Sequence, residues 1–133
     1  MISKMSGYGF KDLEVYQKAR ELRKYIYAFI KQLPSEEKFN LASQMRRAAT
    51  SITNNIAEGH GRFHFQENIQ FLRQSRGSLE ELMDDLNVCL DEHYLPEDEY
   101  IKLKAEAKEV LHRINGYIAY LRKRKQEDIA IHH

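Results

Sequence analysis

Four stretches of this chain place a seam residue, nearly always apolar, at steps of three or four, alternating in the first, third and fourth. In the first the seam is Val15, Ala19, Leu22, Ile26, Phe29 and Leu33. In the third it is Phe65, Ile69, Leu72, Arg76, Leu79, Met83, Leu86 and Leu90, with one arginine in an otherwise apolar series. In the fourth it is Tyr100, Leu103, Ala107, Val110, Ile114, Tyr117 and Leu121. The second carries Leu41, Met45, Ala48, Ile52 and Ile56. A mean step of 3.5 keeps one stripe of a helix turned toward a neighbour crossing at a small angle, which is the packing of left-handed bundles. No run alternates with period two, as a strand with one buried face would. The spacing predicts an all-α chain folded as an antiparallel, up-down-up-down four-helix bundle.

Punctuation sets the predicted boundaries. Pro34-Ser35 ends a first helix over about 11–33, and Ser35 with Glu36-Glu37 reads as the N-cap and acidic first turn of a second over about 36–57. Glu58-Gly59-His60-Gly61 reads as a break whose glycines suit positive φ. The third helix spans about 65–92, and Pro96 with Glu97-Asp98-Glu99 starts a fourth over about 97–125. At 133 residues these make one domain, long enough for a real core.

The second helix has an unusual polar side. Gln44, Arg47, Ser51, Asn55 and Glu58 recur at three- and four-residue steps and share a stripe. Serine and asparagine are poor mid-helix residues, so another helix, another subunit or a ligand is expected to read that face. Arg76, if buried in the third seam, needs a partner. An ion pair with Glu58 or another acid, a subunit contact and a ligand site are the alternatives. Gly77-Ser78 after it either admits a close neighbour or bends the helix.

Charge separates along the chain although the total is only +1. Residues 1–62 hold eleven Lys and Arg against six Asp and Glu; residues 63–133 hold ten against fourteen. Nine acids and no Lys or Arg lie between Leu79 and Tyr100, and Arg122-Lys123-Arg124-Lys125 then forms a basic end. Solvated helix faces explain this. So does a polar molecule whose unlike ends meet in a head-to-tail oligomer.

Catalytic chemistry is hard to assemble from these residues. His60 and His64 sit in a glycine-rich turn, His93 and His112 are isolated, and no Glu-x-x-His pair faces a bundle core, so no metal or other cofactor is expected. Cys89 lies between Val88 and Leu90 and reads as a small core residue. As the lone cysteine it allows no internal disulfide, which suits a reducing cytoplasm. No histidine follows an arginine by five residues, and no glycine-rich phosphate loop follows a strand. The chain is therefore expected not to be an enzyme, and no small-molecule substrate is indicated. Met1 to Gly9 has no apolar core for a signal peptide, and no apolar run approaches the roughly 20 residues that span a bilayer, so no membrane partner is expected.

Nucleic acid remains. Arg20, Lys24 and Lys31 share a face of the first helix, bordered by Tyr16 and Tyr27, and Arg46, Arg62 and Arg122, Lys123, Arg124, Lys125 extend the basic surface. Cations meet phosphates and tyrosines stack on exposed bases. A solvated face with the tyrosines buried between subunits is the competing reading.

Several segments carry a resemblance. They are Phe10-Lys11-Asp12-Leu13 with Val15-Tyr16, and Leu33-Pro34-x-x-Glu37-Lys38-Phe39-x-Leu41. The longest is Ser43-Gln44-Met45-Arg46-Arg47-Ala48-Ala49-x-Ser51-Ile52-x-x-Asn55-Ile56-Ala57-Glu58-Gly59, followed by Gly61-Arg62, Phe71-Leu72 and Gly77-Ser78-Leu79-x-Glu81-Leu82. From Phe10 to Leu121 the chain resembles the bacterial four-helix-bundle proteins encoded in intervening sequences of 23S ribosomal RNA. The resemblance implies an up-down bundle, a cytoplasmic bacterial protein and no enzymatic activity. That family looks related to the accessory protein of diversity-generating retroelements, a ring-like homopentamer that binds nucleic acid and a reverse transcriptase. By resemblance, a homopentamer that binds RNA or a ribonucleoprotein partner is expected, and a protein-only scaffold is the alternative. Two departures stand out. This chain is charge-balanced where the retroelement protein is strongly basic. Thr53 stands where the family often has proline, which favours an unbroken helix.

Overall fold

A computed structural model of the protein describes residues 9–132. Its four α-helices are α1 (Glu14–Ile30), α2 (Leu41–His60), α3 (Phe65–Asp91) and α4 (Glu97–His132), and the described residues contain no strand. Cross-helix pairs give the direction of each neighbour. Arg23 meets Thr53 and Tyr27 meets Thr50, so α1 and α2 run oppositely. Ser75 meets Ile52 and Ser51 meets Ser78 between α2 and α3. Gln66 meets Lys125 and Asn87 meets Lys104 between α3 and α4. Glu14 meets Arg113, closing α4 onto α1. Each helix packs on its two chain or ring neighbours and none crosses the diagonal. The result is the antiparallel, up-down-up-down bundle predicted from the seams.

The core is what the seams promised in α1, α2 and α4. Val15, Ala19, Leu22, Ile26 and Phe29, then Leu41, Met45, Ala48, Ile52 and Ile56, then Leu103, Ala107, Val110, Ile114 and Leu121 are all buried. Leu33, Tyr100 and Tyr117 are only partly covered. Helix α3 buries Ile69, Leu72, Leu79 and Leu86 as predicted, and between and after them its seam shifts by one residue. Leu82 and Cys89 face the core in place of Met83 and Leu90, and Ser75 takes the place given to Arg76. Ser75 is satisfied there because its hydroxyl donates to the Ile52 carbonyl at 2.8 Å.

Five predicted boundaries move. Helix α1 begins at Glu14 because Phe10–Asp12 forms a separate 3-10 turn, with the Gly9 amide donating to the Asp12 carboxylate at 3.0 Å and Leu13 extended. It ends at Ile30, where the amides of Gln32 and Leu33 turn to bonds three residues back. Ser35 does not cap α2; it opens a 3-10 turn, Ser35–Glu37, and α2 starts only after Asn40. The break falls at the end of the stretch 58–61: Gly59 lies inside α2, and Gly61 caps it at φ −77°, so neither glycine supplies positive φ. The positive φ belongs to His93 at 62°. There the Tyr94 amide reaches the Cys89 carbonyl at 2.8 Å and the His93 amide reaches Leu90 at 3.1 Å, the Schellman closure of α3. Helix α4 continues past Lys125 to His132, since Gln126 to Ala130 contains no breaker.

Gly77 sits in an unbroken α3, and a Cβ built on it meets nothing within 4 Å, so it does not serve a close helix approach. Gly77→Ala is therefore expected to stabilise the fold by about 0.5–1 kcal/mol, read as a higher urea midpoint. A loss of stability would mean that this position is covered in the assembled protein.

Candidate nucleic-acid interface

Helix α2 divides its polar residues between two neighbours. On the α3 side, the Ser51 and Ser78 hydroxyls share a 2.8 Å hydrogen bond, and Asn55 donates to the Ser51 carbonyl at 2.9 Å and hydroxyl at 3.0 Å. These two stripe residues belong to the bundle. Gln44, Arg47 and Glu58 do not: all three are exposed, Arg47 donates to Ser43 at 3.0 Å, and Glu58 pairs with Arg62 at 2.7 Å. Arg76 is corrected as well. It is half-buried rather than sealed in the seam, and its guanidinium donates to the Asn115 side chain on α4 at 2.7 Å, not to Glu58. One helical position separates it from Ser75, enough to swing its long side chain to the bundle surface.

On the α1 side, α2 contributes to a basic flank. Thr53 is buried in mid-helix where its hydroxyl donates to the Thr50 carbonyl at 3.0 Å and accepts from Arg23 at 2.8 Å. Thr50 donates to the Arg46 carbonyl at 2.8 Å, which leaves the Tyr27 hydroxyl to donate to Thr50. Arg46 then lies over the Tyr27 ring, 4.6 Å from its centroid. Arg20 and Lys24, one turn apart, stand exposed on the same flank, with Lys31 at its far end. Among the described residues none of Arg20, Lys24 and Arg46 is in an ion pair.

The other basic residues gather elsewhere. Arg62 leads the α2–α3 connection, paired with Glu58 and 4.8 Å from the Phe71 ring. Arg124 is close to Glu127, stacks near Phe65 at 5.7 Å and donates to Tyr120 at 2.9 Å, while Lys125 donates to Gln66 at 2.7 Å. Arg122 and Lys123 are exposed on the same turn of α4. The structure thus spreads Arg20, Lys24 and Arg46 along the α1–α2 flank and sets Arg62 and Arg122–Lys125 at the end where α2 meets α3. The acidic stretch from Glu80 to Glu99 lies at the opposite end, around the α3–α4 connection.

Two buried groups mark that acidic end. Asp85 is 6% exposed, and its carboxyl is raised to about 6 by burial first, then by Glu81 and Asp84, with Arg47 acting against them. Cys89 is fully buried beside the Met45 sulfur at 3.7 Å, and burial, then Asp85 and Glu37, push its thiol up to about 12. A thiol held protonated and away from solvent has no nucleophilic role. Among the described residues no group of three or more His, Cys, Asp or Glu could hold a metal ion, and no helix is long and apolar enough to cross a membrane.

Sequence reasoning named Arg20, Lys24 and Arg46 but not the cation and ring that the α1–α2 connection adds beside Arg46, namely Lys38 and Phe39. The available signal was an aromatic next to a lysine in a turn after proline; its exposure was not readable.

Comparison with known proteins places the fold. A crystal structure from Bacteroides thetaiotaomicron, of a protein of unknown function from the S23 ribosomal protein family, superposes with a TM-score of 0.73 at 24% identity, covering 78% of this chain and 97% of that one. At that identity the likeness is one of fold. No curated protein matches the chain. The model of the 23S rRNA-intervening sequence protein family matches residues 11–116, across all of α1, α2 and α3 and more than half of α4. With the bundle, the Gln44–Glu58 motif and this match in agreement, the chain belongs to the 23S rRNA-intervening sequence protein family.

Proposed function

We propose that the protein is a non-enzymatic, homo-oligomeric bundle, assembled as a pentamer, that binds RNA or a ribonucleoprotein in the bacterial cytoplasm. The observation that carries the reading is the α1–α2 flank, where Arg20, Lys24 and Arg46 are exposed and unneutralised while the acids collect at one end of the bundle. Cations fixed on rigid helices and free of acidic partners are set to replace counterions on a phosphate backbone. The Arg62 and Arg122–Lys125 cluster supports it less directly, because Arg62, Arg124 and Lys125 already have protein partners. A head-to-tail ring fits the separation of charge. A scaffold that contacts protein alone is the second reading, favoured by the exposed polar pair Gln44 and Arg47 beside the acidic end of α3.

The test combines light scattering with RNA titration at several salt concentrations. A particle of about five times the 15.8 kDa protomer is expected, with affinity falling linearly in log salt. The triple variant Arg20→Glu, Lys24→Glu, Arg46→Glu is expected to lose roughly 100-fold in affinity and about one unit of salt slope per contact removed. Salt-independent binding, or an unaffected triple variant, would reject the assignment of this flank. A ring that ignores RNA would leave the protein scaffold.

A further inference from the structure

The α1–α2 connection encloses an open hollow of about 400 Å³, within the range of ordinary ligand sites. Leu33 and Pro34 form its apolar wall, and Lys31, Lys38 and Arg46 stand around it. Phe39, also lining it, is 88% exposed, although burying such a ring is strongly favourable. The ring is presented by an ordered turn. The Glu37 amide reaches Pro34 at 2.9 Å, the Lys38 amide Ser35 at 3.1 Å and the Asn40 amide Glu37 at 3.0 Å, and α2 starts immediately after. The Lys38 ammonium lies 5.4 Å from the ring centroid.

Of the two acids of this turn, Glu36 is exposed to solvent and Glu37 is occupied elsewhere. Glu37 accepts from the Tyr94 hydroxyl at 2.7 Å and from the Leu41 amide at 3.4 Å. Among the described residues no ion pair involves Lys31, Lys38 or Arg46. Arg46 is held instead on Tyr27, which fixes its position without neutralising it. An uncovered aromatic face, a small apolar wall and three free cations within one hollow match one kind of ligand group, a flat ring carrying phosphates on either side.

The geometry points to a subsite for an unpaired nucleotide of single-stranded RNA, its base stacked on Phe39 and its flanking phosphates held by Lys31, Lys38 and Arg46. This rests on the nucleic-acid reading above and deepens it, because it selects the form of RNA. A paired A-form helix keeps its bases stacked on one another and offers no free face to Phe39, whereas loops and single strands do. Stacking on a phenylalanine tolerates any base, so the subsite reads strandedness and not sequence.

The test is fluorescence anisotropy with two labelled probes, a mixed-sequence RNA that cannot self-pair and a blunt RNA duplex of equal phosphate number, with light scattering on every variant. The wild-type protein is expected to bind the single strand more tightly. Phe39→Ala should weaken single-strand binding about tenfold, leave duplex binding and the salt slope unchanged, and Phe39→Tyr should retain affinity. Lys31→Ala with Lys38→Ala should lower the slope by about 0.7 per cation. An undiminished Phe39→Ala variant, or equal losses on both probes, overturns the subsite while the RNA reading stands. If Phe39→Ala dissociates the oligomer and keeps RNA affinity, Phe39 is a subunit contact and the subsite is overturned. If the wild type binds neither probe, the RNA reading fails and the subsite with it.

Discussion

Asp85→Asn is expected to make the protein more stable at pH 7, by about 1–3 kcal/mol, and to remove a gain in stability on mild acidification. The carboxylate sits on α3 at 6% exposure, and its Oδ2 is sealed from solvent without a hydrogen-bond partner. Burial dominates its environment, Glu81 and Asp84 add repulsion, and Arg47 recovers only part. The folded-state value is about 6 against a reference of 3.8. Because the folded value lies above the unfolded one, the native state holds this proton more tightly. The penalty of ionising Asp85 is therefore fully present above about pH 6 and relieved as the pH falls from about 6 towards 4, the reverse of a salt-bridged carboxylate. A displacement of that size corresponds to at most about 3 kcal/mol. Asparagine keeps the shape without the charge, though its amide still needs a partner. Urea unfolding of both proteins at pH 7 and pH 5, at one protomer concentration, reads the effect. The advantage of the variant should shrink toward pH 5. A variant less stable than wild type at pH 7, or an advantage that ignores pH, would show that Asp85 has a charged partner in the assembled protein.

Gly59→Val is expected to cost about 3 kcal/mol, with Gly59→Ala costing roughly 1. Any Cβ at this position would stand 2.7 Å from the Asn68 side-chain oxygen, 2.9 Å from the Phe71 Cβ and 3.2 Å from the Asn68 carbonyl. Asn68 can turn its side chain away. The Phe71 Cβ and the Asn68 carbonyl are fixed to the α3 backbone, so the two helices must separate. Alanine regains some helix propensity over glycine, which offsets part of its clash; valine adds a second branch and a poorer propensity. Thermal and urea unfolding measure both variants. A Gly59→Val protein within about 0.5 kcal/mol of wild type would mean that the α2–α3 contact is softer than its geometry.

The seams of α1 and α2, and of α4 as far as Ile114, were legible because nearly every seam position within these helices is buried. Helix α3 was legible at Ile69, Leu72, Leu79 and Leu86 but not between and after them, because Leu82-Met83 and Cys89-Leu90, like Tyr117-Ile118 in α4, offer adjacent apolar residues and a local period cannot choose between them. That ambiguity placed Arg76 in the core, where the packed helix puts Ser75. The α1–α2 connection was misread for a related reason. Ser35 has the chemistry of an N-cap, yet the chain takes a 3-10 turn first and leaves Phe39 outside. Gly59 makes a close approach of the kind that was one alternative for Gly77, and Gly77 serves neither an approach nor a break in α3.

For the candidate interface, the basic residues themselves were legible and their grouping was not. Arg20 and Lys24 lie on α1 and Arg46 on α2, and they share one flank only through the antiparallel register of Tyr27 with Thr50. Arg62 and Arg122–Lys125 are far apart in sequence and share one end of the bundle because α2, α3 and α4 run alternately up and down.

The amino-acid sequence alone determined four amphipathic helices, their order and the separation of charge along them, because an α-helix has a period of 3.6 residues and displays its faces locally. Only the tertiary structure decided that Ser51 turns to Ser78 on α3 while Arg47 turns to solvent, that Arg76 reaches Asn115, and that three cations line one hollow with Phe39. Those outcomes depend on the rotation of each helix about its own axis. A residue step of 100° is fine enough that one position decides between core and surface, and that rotation is fixed by all neighbours packing at once.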